Sequence, residues 1–400
     1  MQEKNIKSLS FGCRLNALEC EKIQNAVAPY VDTAVIVNTC SVTAEAERQS
    51  AQSVRRIARE NPNVPIFVTG CGATRNPELF EQIPNTVVIP NAQKMDTKQY
   101  IRGLAKLNKS GNIVKFTHET PDLSKQFIQI QNGCNHKCTY CVTRLLRGPA
   151  VSFPYADILA DARAAVKNGF YEIVITGVDS ASYAYKMGDK FIFISDVCKM
   201  LLRDVPEIRR LRISSLDPAS PEIFKIIDLI HSEPRMMPHL HLSMQSGSDT
   251  ILSAMARRHN ADMVRKIVAS APGITFSWDI ICGFPGETDE LFRETCDLVR
   301  EVKPIKIHAF PFSPRPGTMA AIMSNQIPRN ISKERVHKIT KLADKNLRNY
   351  MATQIGKIVS VLVENNNNAR TPDDIDVKIS GAKIPARTIL DVRLTGIKKI

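Results

Sequence analysis

The chain has 400 residues, 43% of them hydrophobic and 24% charged, with a formal net charge of +14. That length and composition predict two or three globular domains and exclude a disordered or low-complexity chain. No apolar run approaches the roughly 20 residues of a membrane span, and the start Met1-Gln-Glu-Lys-Asn-Ile-Lys7 lacks the apolar centre of a secretory signal, so a cytoplasmic enzyme with no membrane partner is expected. The basic excess suits a polyanionic partner, nucleic acid by default, although a merely soluble basic protein would also carry it. Ten cysteines in a chain without a signal point to metal binding or catalysis rather than to disulfides.

Lys7–Cys13 predicts a strand ending in a glycine turn, Asn16–Tyr30 a helix with Leu18, Ile23 and Val27 on one face, and Thr33–Cys40 a buried strand. A helix over Ala44–Arg59, a strand over Asn63–Cys71, a short helix over Pro77–Gln82 and a strand over Thr86–Pro90 follow. This alternation argues a parallel α/β sheet. Cys13, Cys40 and Cys71 each fall at the carboxyl end of a predicted strand, where open α/β sheets gather their ligands. Singly each reads as a buried thiol. Together they make a ligand set of three for a cubane iron–sulfur cluster, with one iron left open. Cys20, inside the first helix, reads as structural. The polar, basic stretch beyond residue 104 reads as a linker over 105–125 with a short strand at 113–116.

Phe127–Gln131 predicts a strand that feeds a loop carrying Cys134, Cys138 and Cys141 as C-x3-C-x2-C. Three thiolates at this spacing can hold three irons of a second cubane cluster and again leave one iron open. Zinc would need a fourth ligand, which His136 could supply, and a C-x-x-C redox pair is the weaker alternative. Strands are expected at Glu172–Gly177, Arg209–Ser215, His239–Gln245, Thr275–Cys282 and Ile305–Phe310, separated by helices at Tyr155–Asn168, Phe193–Arg203, Ser220–His231, Ala261–Ala271 and Leu291–Val302. Six or so β/α units suggest a partial barrel, whose function sits on the loops after the strands. Thr176-Gly177-Val-Asp179, Ser214-Ser-Leu-Asp217, Gln245-Ser-Gly247 and Asp279–Glu287 with Gly283 and Gly286 all stand at such strand ends, where ordinary polar turns are also common. Arg257 and Arg258, Arg315 in Ser313–Thr318, and Arg147 are cations that could hold a carboxylate or a phosphate, or be solvated. Cys198, Cys282 and Cys296 read as packing residues.

A basic helix over Ile331–Thr353 leads to strands at Gly356–Glu364, Ile375–Ile379 and Thr388–Thr395, with a turn at Asn365–Asn368. A small antiparallel β-barrel follows from these, with few aromatics for base stacking, so that contact with a nucleic-acid backbone through Lys and Arg is expected. The expected fold class is therefore α/β: a parallel-sheet domain (1–104), a linker (105–125), a partial (β/α)6 barrel (126–354) and a small antiparallel β-barrel (355–400).

The cysteine spacing resembles the radical S-adenosylmethionine (radical SAM) superfamily, and the four strand-end motifs stand in that superfamily's order. Gly12-Cys-Arg-Leu-Asn16, Asn38-Thr-Cys-Ser-Val-Thr43 with Ala44-Glu-Ala-Glu47, and Thr69-Gly-Cys71 resemble the methylthiotransferase N-terminal domain, with wording most like the threonylcarbamoyladenosine branch; the final segment resembles a TRAM domain. The resemblance covers nearly the whole chain. It implies a tRNA methylthiotransferase with two 4Fe-4S clusters and S-adenosylmethionine (SAM). Cys134, Cys138 and Cys141 would hold the cluster that reduces SAM, and Cys13, Cys40 and Cys71 the auxiliary cluster that presents sulfur. The radical formed from SAM would abstract hydrogen from adenine C2, and a second SAM would supply the methyl group. Tyr140 would pack near the adenine of SAM, Thr176, Gly177 and Asp179 would receive its amino group, and Ser214, Gln245, Gly283 and Arg315 would complete its surroundings. The resemblance also implies a reducing partner such as flavodoxin or ferredoxin, and names no sulfur donor. Two departures, Ser182-Tyr-Ala184 and Pro149-Ala-Val151, bear on substrate contacts. The other readings are action on isopentenyladenosine in tRNA, action on an aspartate of a ribosomal protein, and a non-enzymatic RNA-binding iron–sulfur sensor.

Overall fold

The computed structural model describes residues 5–107, 111, 113 and 124–397, so residues 114–116 of the strand expected over 113–116, and most of the expected linker, lie outside the described residues. The chain forms two compact units. One comprises Met1–Pro121 with Gly133–His136 and Cys141–Pro149; the other comprises Asp122–Asn132, Lys137–Tyr140 and Ala150–Ile400.

The first unit is built from β1 (Asn5–Ser10), α1 (Arg14–Val27), β2 (Thr33–Thr39), α2 (Ala44–Glu60), β3 (Ile66–Thr69), α3 (Gly70–Arg75), α4 (Glu78–Glu81), β4 (Thr86–Val88), α5 (Thr97–Leu107) and α6 (Thr143–Arg147). The strands are parallel in the order β1-β2-β3-β4. Parallel sheets need cover on both faces, so their strands read as continuous apolar runs. Successive residues of β2 show this: Val35 and Val37 pack with α2 and α4 through Val54, Ile57 and Phe80. Ala34 and Ile36 pack with α1 and α5 through Ile23, Val27 and Tyr100. Thr43 caps α2 by accepting from the Ala46 N–H at 3.1 Å, which satisfies one of the orphan donors of the first turn. Helices α5 and α6 were not expected from the sequence.

In the second unit β5 (Gln126–Asn132), β6 (Val151–Ser152), α7 (Tyr155–Lys167), β7 (Glu172–Gly177), a hairpin of β8 (Ala184–Met187) and β9 (Lys190–Phe193), α8 (Ile194–Asp204), β10 (Arg210–Ile213), α9 (Glu222–Ser232), β11 (His239–Gln245), α10 (Asp249–Ala254), α11 (Ala261–Ala269), β12 (Thr275–Cys282), α12 (Asp289–Val302), β13 (Lys306–Pro311), α13 (Met319–Ile322) and α14 (Arg329–Ala352) follow in turn. Strands β5, β7 and β10 are parallel neighbours, as are β11, β12 and β13, and parallel bridges Leu211↔Met236 and Leu216↔Leu242 link the two sets. Alternate residues share a face. Ile128, Ile130, Ile173, Ile175, Leu240, Leu242, Trp278 and Ile280 lie in the core with the helices. Polar residues at intervening positions bond one another: Thr176 with Ser214 at 3.1 Å, His239 with Thr275 at 2.7 Å, and His241 with Ser277 at 2.8 Å. Cys198, Cys282 and Cys296 are buried in that core, as packing residues should be.

The last four strands, β14 (Ile358–Val363), β15 (Asn368–Arg370), β16 (Asp376–Lys378) and β17 (Ile389–Arg393), form an antiparallel sheet in the order β16-β15-β14-β17. A buried ion pair fixes it to the strands. Glu172 accepts from Arg212 at 2.8 Å and Arg210 at 3.3 Å. The same guanidinium groups donate to the carbonyls of Ser360 (2.8 Å), Thr371 (2.8 Å) and Pro372 (2.7 Å). Burial alone would raise the Glu172 carboxyl, but Arg212, Lys125 and Arg210 more than offset it and hold it below its ordinary 4.5. Its contribution to stability is therefore complete above about pH 4.5 and is lost as pH falls through the lower folded value. Glu172→Gln leaves two buried cations facing a neutral amide and should cost about 3–5 kcal/mol in chemical denaturation at neutral pH. The parent chain should lose that advantage on acidification, so the two denaturation curves should converge at low pH.

Candidate functional site

In the first unit, three chain-distant cysteines converge. Cys13 stands at the start of α1, Cys40 directly follows β2, and Cys71 lies in the first turn of α3. Sequence placed Cys71 at a strand end; β3 stops at Thr69, and α3, which was not expected, begins at Gly70, whose φ of +95° turns the chain sharply. Gly12 has a φ of +82°, and a Cβ there would sit 2.3 Å from the Cys40 sulfur, so the Cys13 turn lies hard against Cys40. The Cys40 thiol is pushed up to about 11, first by burial, with Cys13 and Cys71 adding to the rise and N–H donors opposing it. The Cys13 thiol is likewise pushed up, first by burial, and Cys71 adds to the rise at both; a cation such as iron or zinc would relieve this and release the protons.

Beside them lies a sealed charge network. Glu19 of α1 takes Lys94 at 2.6 Å and Arg147 at 2.8 Å, with all three side chains at most 4% exposed. Burial pushes the Glu19 carboxyl up, but Lys94 and Arg147 bring it below the ordinary range. Arg147 also donates to Asn16 Oδ1 at 2.7 Å. Arg147 was weighed as a carboxylate or phosphate contact; the structure corrects this, because its guanidinium is buried and engaged. Asn91, Lys94 and Glu19 were missed by sequence reasoning. No local pattern marks Asn91 or Lys94, and Glu19 looked like any polar helix residue.

The C-x3-C-x2-C loop is divided between the units: Cys134, His136 and Cys141 belong to the first, Cys138 and Tyr140 to the second. The sulfurs accept N–H donors in a repeated way. Cys40 accepts from Val42, Cys134 from His136 and Cys141 from Thr143, each from the backbone two residues on and each at 3.4 Å. Cys138 instead takes Arg257 Nη1 at 3.5 Å, and Cys71 takes Asn91 Nδ2 at 3.8 Å. Hydrogen bonds to thiolate sulfur stabilise the anionic ligand and tune a bound cluster. This donor set fits an iron–sulfur centre.

In the second unit, Lys137–Tyr140 is held by Thr139, whose N–H and hydroxyl donate to the Met255 (3.1 Å) and Ala254 (2.9 Å) carbonyls. Tyr140 packs with Ile251, Met255, Phe284 and Ala320. Arg257 is buried: it pairs with Asp217 at 3.3 Å and donates to the Ser243 carbonyl at 2.9 Å, so it is neither solvated nor open to a phosphate. Asp217, weighed as a contact for SAM, is occupied by Arg257 and by Arg258 at 3.1 Å. Burial pushes its carboxyl up, and Arg257 with the Ala219 N–H brings it below the ordinary range. His259 beside them is pushed down to about 4 by burial and Arg257, so it is neutral near pH 7.

The strand-end residues sit where the sequence placed them. Thr176 and Ser214 join neighbouring strands through their hydroxyls. Gly177 pairs in register with Gln131, and Gln131 Oε1 accepts the Asp179 N–H at 2.8 Å while Asp179 Oδ2 accepts from Ser182. Gln131, another residue sequence reasoning passed over, was legible as a polar position inside an apolar strand. Gln245 closes β11 at φ +69°, a conformation that strains a non-glycine residue and is found disproportionately at functional sites. Arg315 is buried, and its carbonyl accepts the Thr318 hydroxyl at 2.7 Å. Gly283 has a φ of +77°, and a Cβ there would meet Ser332 Oγ of α14 at 1.9 Å. The glycine therefore clears room for a helix of the same unit, where the expectation was room for adenine.

Comparison with known proteins bears on both sites. Residues 128–299 match the radical SAM superfamily, and residues 5–90 match a family described only as uncharacterized, UPF0004. A threonylcarbamoyladenosine tRNA methylthiotransferase MtaB of Rickettsia prowazekii is 38% identical, over 98% of this chain and 95% of the relative. A tRNA-2-methylthio-N(6)-dimethylallyladenosine synthase of Rickettsia akari is 30% identical, over 96% of this chain and 99% of the relative. Among solved structures, the radical SAM methyltransferase TsrM of Kitasatospora setae superimposes with a TM-score of 0.56 at 13% identity, over 80% of this chain and 77% of that one, a likeness of fold.

Gly283→Ala should destabilise the second unit by about 1–3 kcal/mol for the positive φ, plus the cost of displacing Ser332. Adding Ser332→Gly removes the collision but not the backbone strain, so thermal denaturation should show partial and not full recovery.

Proposed function

This chain belongs to the MtaB-type methylthiotransferases of the radical SAM superfamily, and from that membership we propose roles for its residues. Its reaction is the 2-methylthiolation of threonylcarbamoyladenosine in tRNA. Its cofactors are two 4Fe-4S clusters and SAM. When bound, SAM would supply the radical and the methyl group, and the auxiliary cluster would present the sulfur that is inserted. The observation that carries the assignment of residues is the pair of three-cysteine sets, with N–H donors on the sulfurs of Cys40, Cys71, Cys134, Cys138 and Cys141.

Cys134, Cys138 and Cys141 are proposed to hold the cluster that engages SAM. Arg257 supports Cys138 as a donor and is itself kept in place by Asp217. Tyr140, packed on Phe284, offers an apolar wall for the adenine, while Asp179 offers a carboxylate for the ammonium of SAM. Thr176, Gly177, Ser214, Gln245 and Arg315 complete the same rim, and the left-handed Gln245 supports a demand on side-chain direction there. Cys13, Cys40 and Cys71 are proposed to hold the auxiliary cluster.

The domain reading kept is a methylthiotransferase N-terminal domain over 1–104, a linker over 105–125, a radical SAM domain over 126–354 with an open (β/α)6 barrel, and a TRAM-like RNA-binding domain over 355–400. The sequential order of the six parallel strands supports the barrel. Exposed Lys383 supports phosphate contact by the C-terminal sheet, whereas Lys378 already donates to the Asn366 carbonyl and Arg387 lies over the Phe170 ring at 3.9 Å. A flavodoxin or ferredoxin would deliver the electron, in the cytoplasm where tRNA is modified.

Cys40→Ala or Cys71→Ala should leave reductive SAM cleavage within about threefold of the parent chain, since the other three cysteines are untouched. The methylthiolated nucleoside should fall below detection in mass spectrometry of digested tRNA. A variant that still makes it would remove the auxiliary role from these cysteines. The same digest tells the threonylcarbamoyl product from its isopentenyl counterpart.

A further inference from the structure

Asn91 sits between two demands that fix its amide. Lys94 Nζ donates to Asn91 Oδ1 at 2.7 Å, and an ammonium has no acceptor, so the oxygen must face it. Asn91 Nδ2 then points the other way, to the Leu146 carbonyl at 3.0 Å, which can only accept, and to the Cys71 sulfur at 3.8 Å. The amide orientation follows from its partners' chemistry. Lys94 is in turn held by Glu19, which also holds Arg147. Two cations against one carboxylate leave one net positive charge, sealed from water beside three thiols. Charges buried in this way interact far more strongly than surface ones.

We propose that Asn91 is a positioning residue for the Cys71 sulfur, oriented by Lys94, and that the Lys94–Glu19–Arg147 network sets the reduction potential of the auxiliary centre. This rests on the reading of Cys13, Cys40 and Cys71 as cluster ligands. A cluster carrying three thiolates becomes more negative on reduction, so a donor on its sulfur and a net positive neighbour both favour the reduced state. Removing either lowers the potential, and removing the carboxylate raises it. Damage to packing has no reason to produce shifts of opposite sign.

The test uses the full-length chain carrying Cys134→Ala, Cys138→Ala and Cys141→Ala, reconstituted anaerobically so that only the auxiliary centre contributes. Stepwise reduction with dithionite is followed by electron paramagnetic resonance, with iron counted in each sample. Asn91→Leu and Lys94→Met are expected to shift the midpoint to more negative potential. Lys94→Arg should stay near the parent, and Glu19→Gln should shift it to more positive potential. Unchanged midpoints at equal iron content, or shifts of one sign in every variant, overturn the proposal. If Lys94→Met does not fold, the opposite signs of Asn91→Leu and Glu19→Gln still decide it. If the parent with three alanines takes up no cluster, the reading of Cys13, Cys40 and Cys71 as ligands fails, and the proposal with it. That outcome is distinguishable because iron is absent before any potential is measured.

Discussion

The Glu19 carboxylate is the point on which the three-cysteine site is assembled. It accepts from Lys94, from Arg147 and from Asn38 Nδ2 at 3.3 Å, and these come from three separate stretches of chain. Asn16, one turn earlier on α1, adds the second anchor for Arg147 and donates to the Phe11 and Thr39 carbonyls at 2.9 and 3.2 Å. The turn carrying Cys13, the end of the strand before Cys40 and the loop beyond β4 are thus tied to one helix face. A buried carboxylate is costly unless it is paired, and here the pairing also holds together the peptide segments that carry sulfur. The parallel sheet makes this possible, because consecutive parallel strands deliver all their carboxyl ends to one edge.

The second unit places different kinds of polar group at the two ends of its strands. At their amino ends, Glu172 and the two arginines are closed off by carbonyls of the C-terminal sheet. At their carboxyl ends, Thr176, Asp179, Ser214 and Gln245 offer polar groups from adjoining loops. From the amino ends of β11 and β12 inward, His239 bonds Thr275 and Ser277, with His239 pushed down to about 3, chiefly by burial, and so neutral.

Much of this was readable before any coordinates. The strands over 172–177, 239–245 and 275–282 have the predicted limits, because each is an apolar or alternating run bounded by turn residues. The cysteine trio was legible because its members end or follow predicted strands. What was not legible shares one cause: its meaning lies in a distant partner. Helix α5 looks polar and basic, and its buried face is little more than Tyr100, Leu104 and the flat surface of Gly103 against Val87. Arg147 and Arg257 look like solvent-facing cations until Glu19 and Asp217 are brought to them. Gly283 looks like a ligand-clearing glycine until Ser332 arrives from α14.

The same division between local and distant information runs through the sulfurs. Cys40, Cys134 and Cys141 take an N–H from two residues further on, so the turn that presents the thiol also supplies its donor. Such donors are present wherever the turn forms. Cys71 and Cys138 depend on Asn91 and Arg257, which reach them only after the fold is complete, and each of those side chains is held by a buried carboxylate network of its own. Each three-cysteine set therefore contains at least one sulfur whose donor comes from local backbone and one whose donor comes from tertiary structure. The local donors are bound to the ligand turn itself and leave little to adjust without disturbing the ligand. The remote donors are side chains on other elements, so on the proposed ligand assignment a change at Asn91, Lys94, Arg257 or Asp217 alters what a sulfur meets while leaving the cysteine spacing untouched.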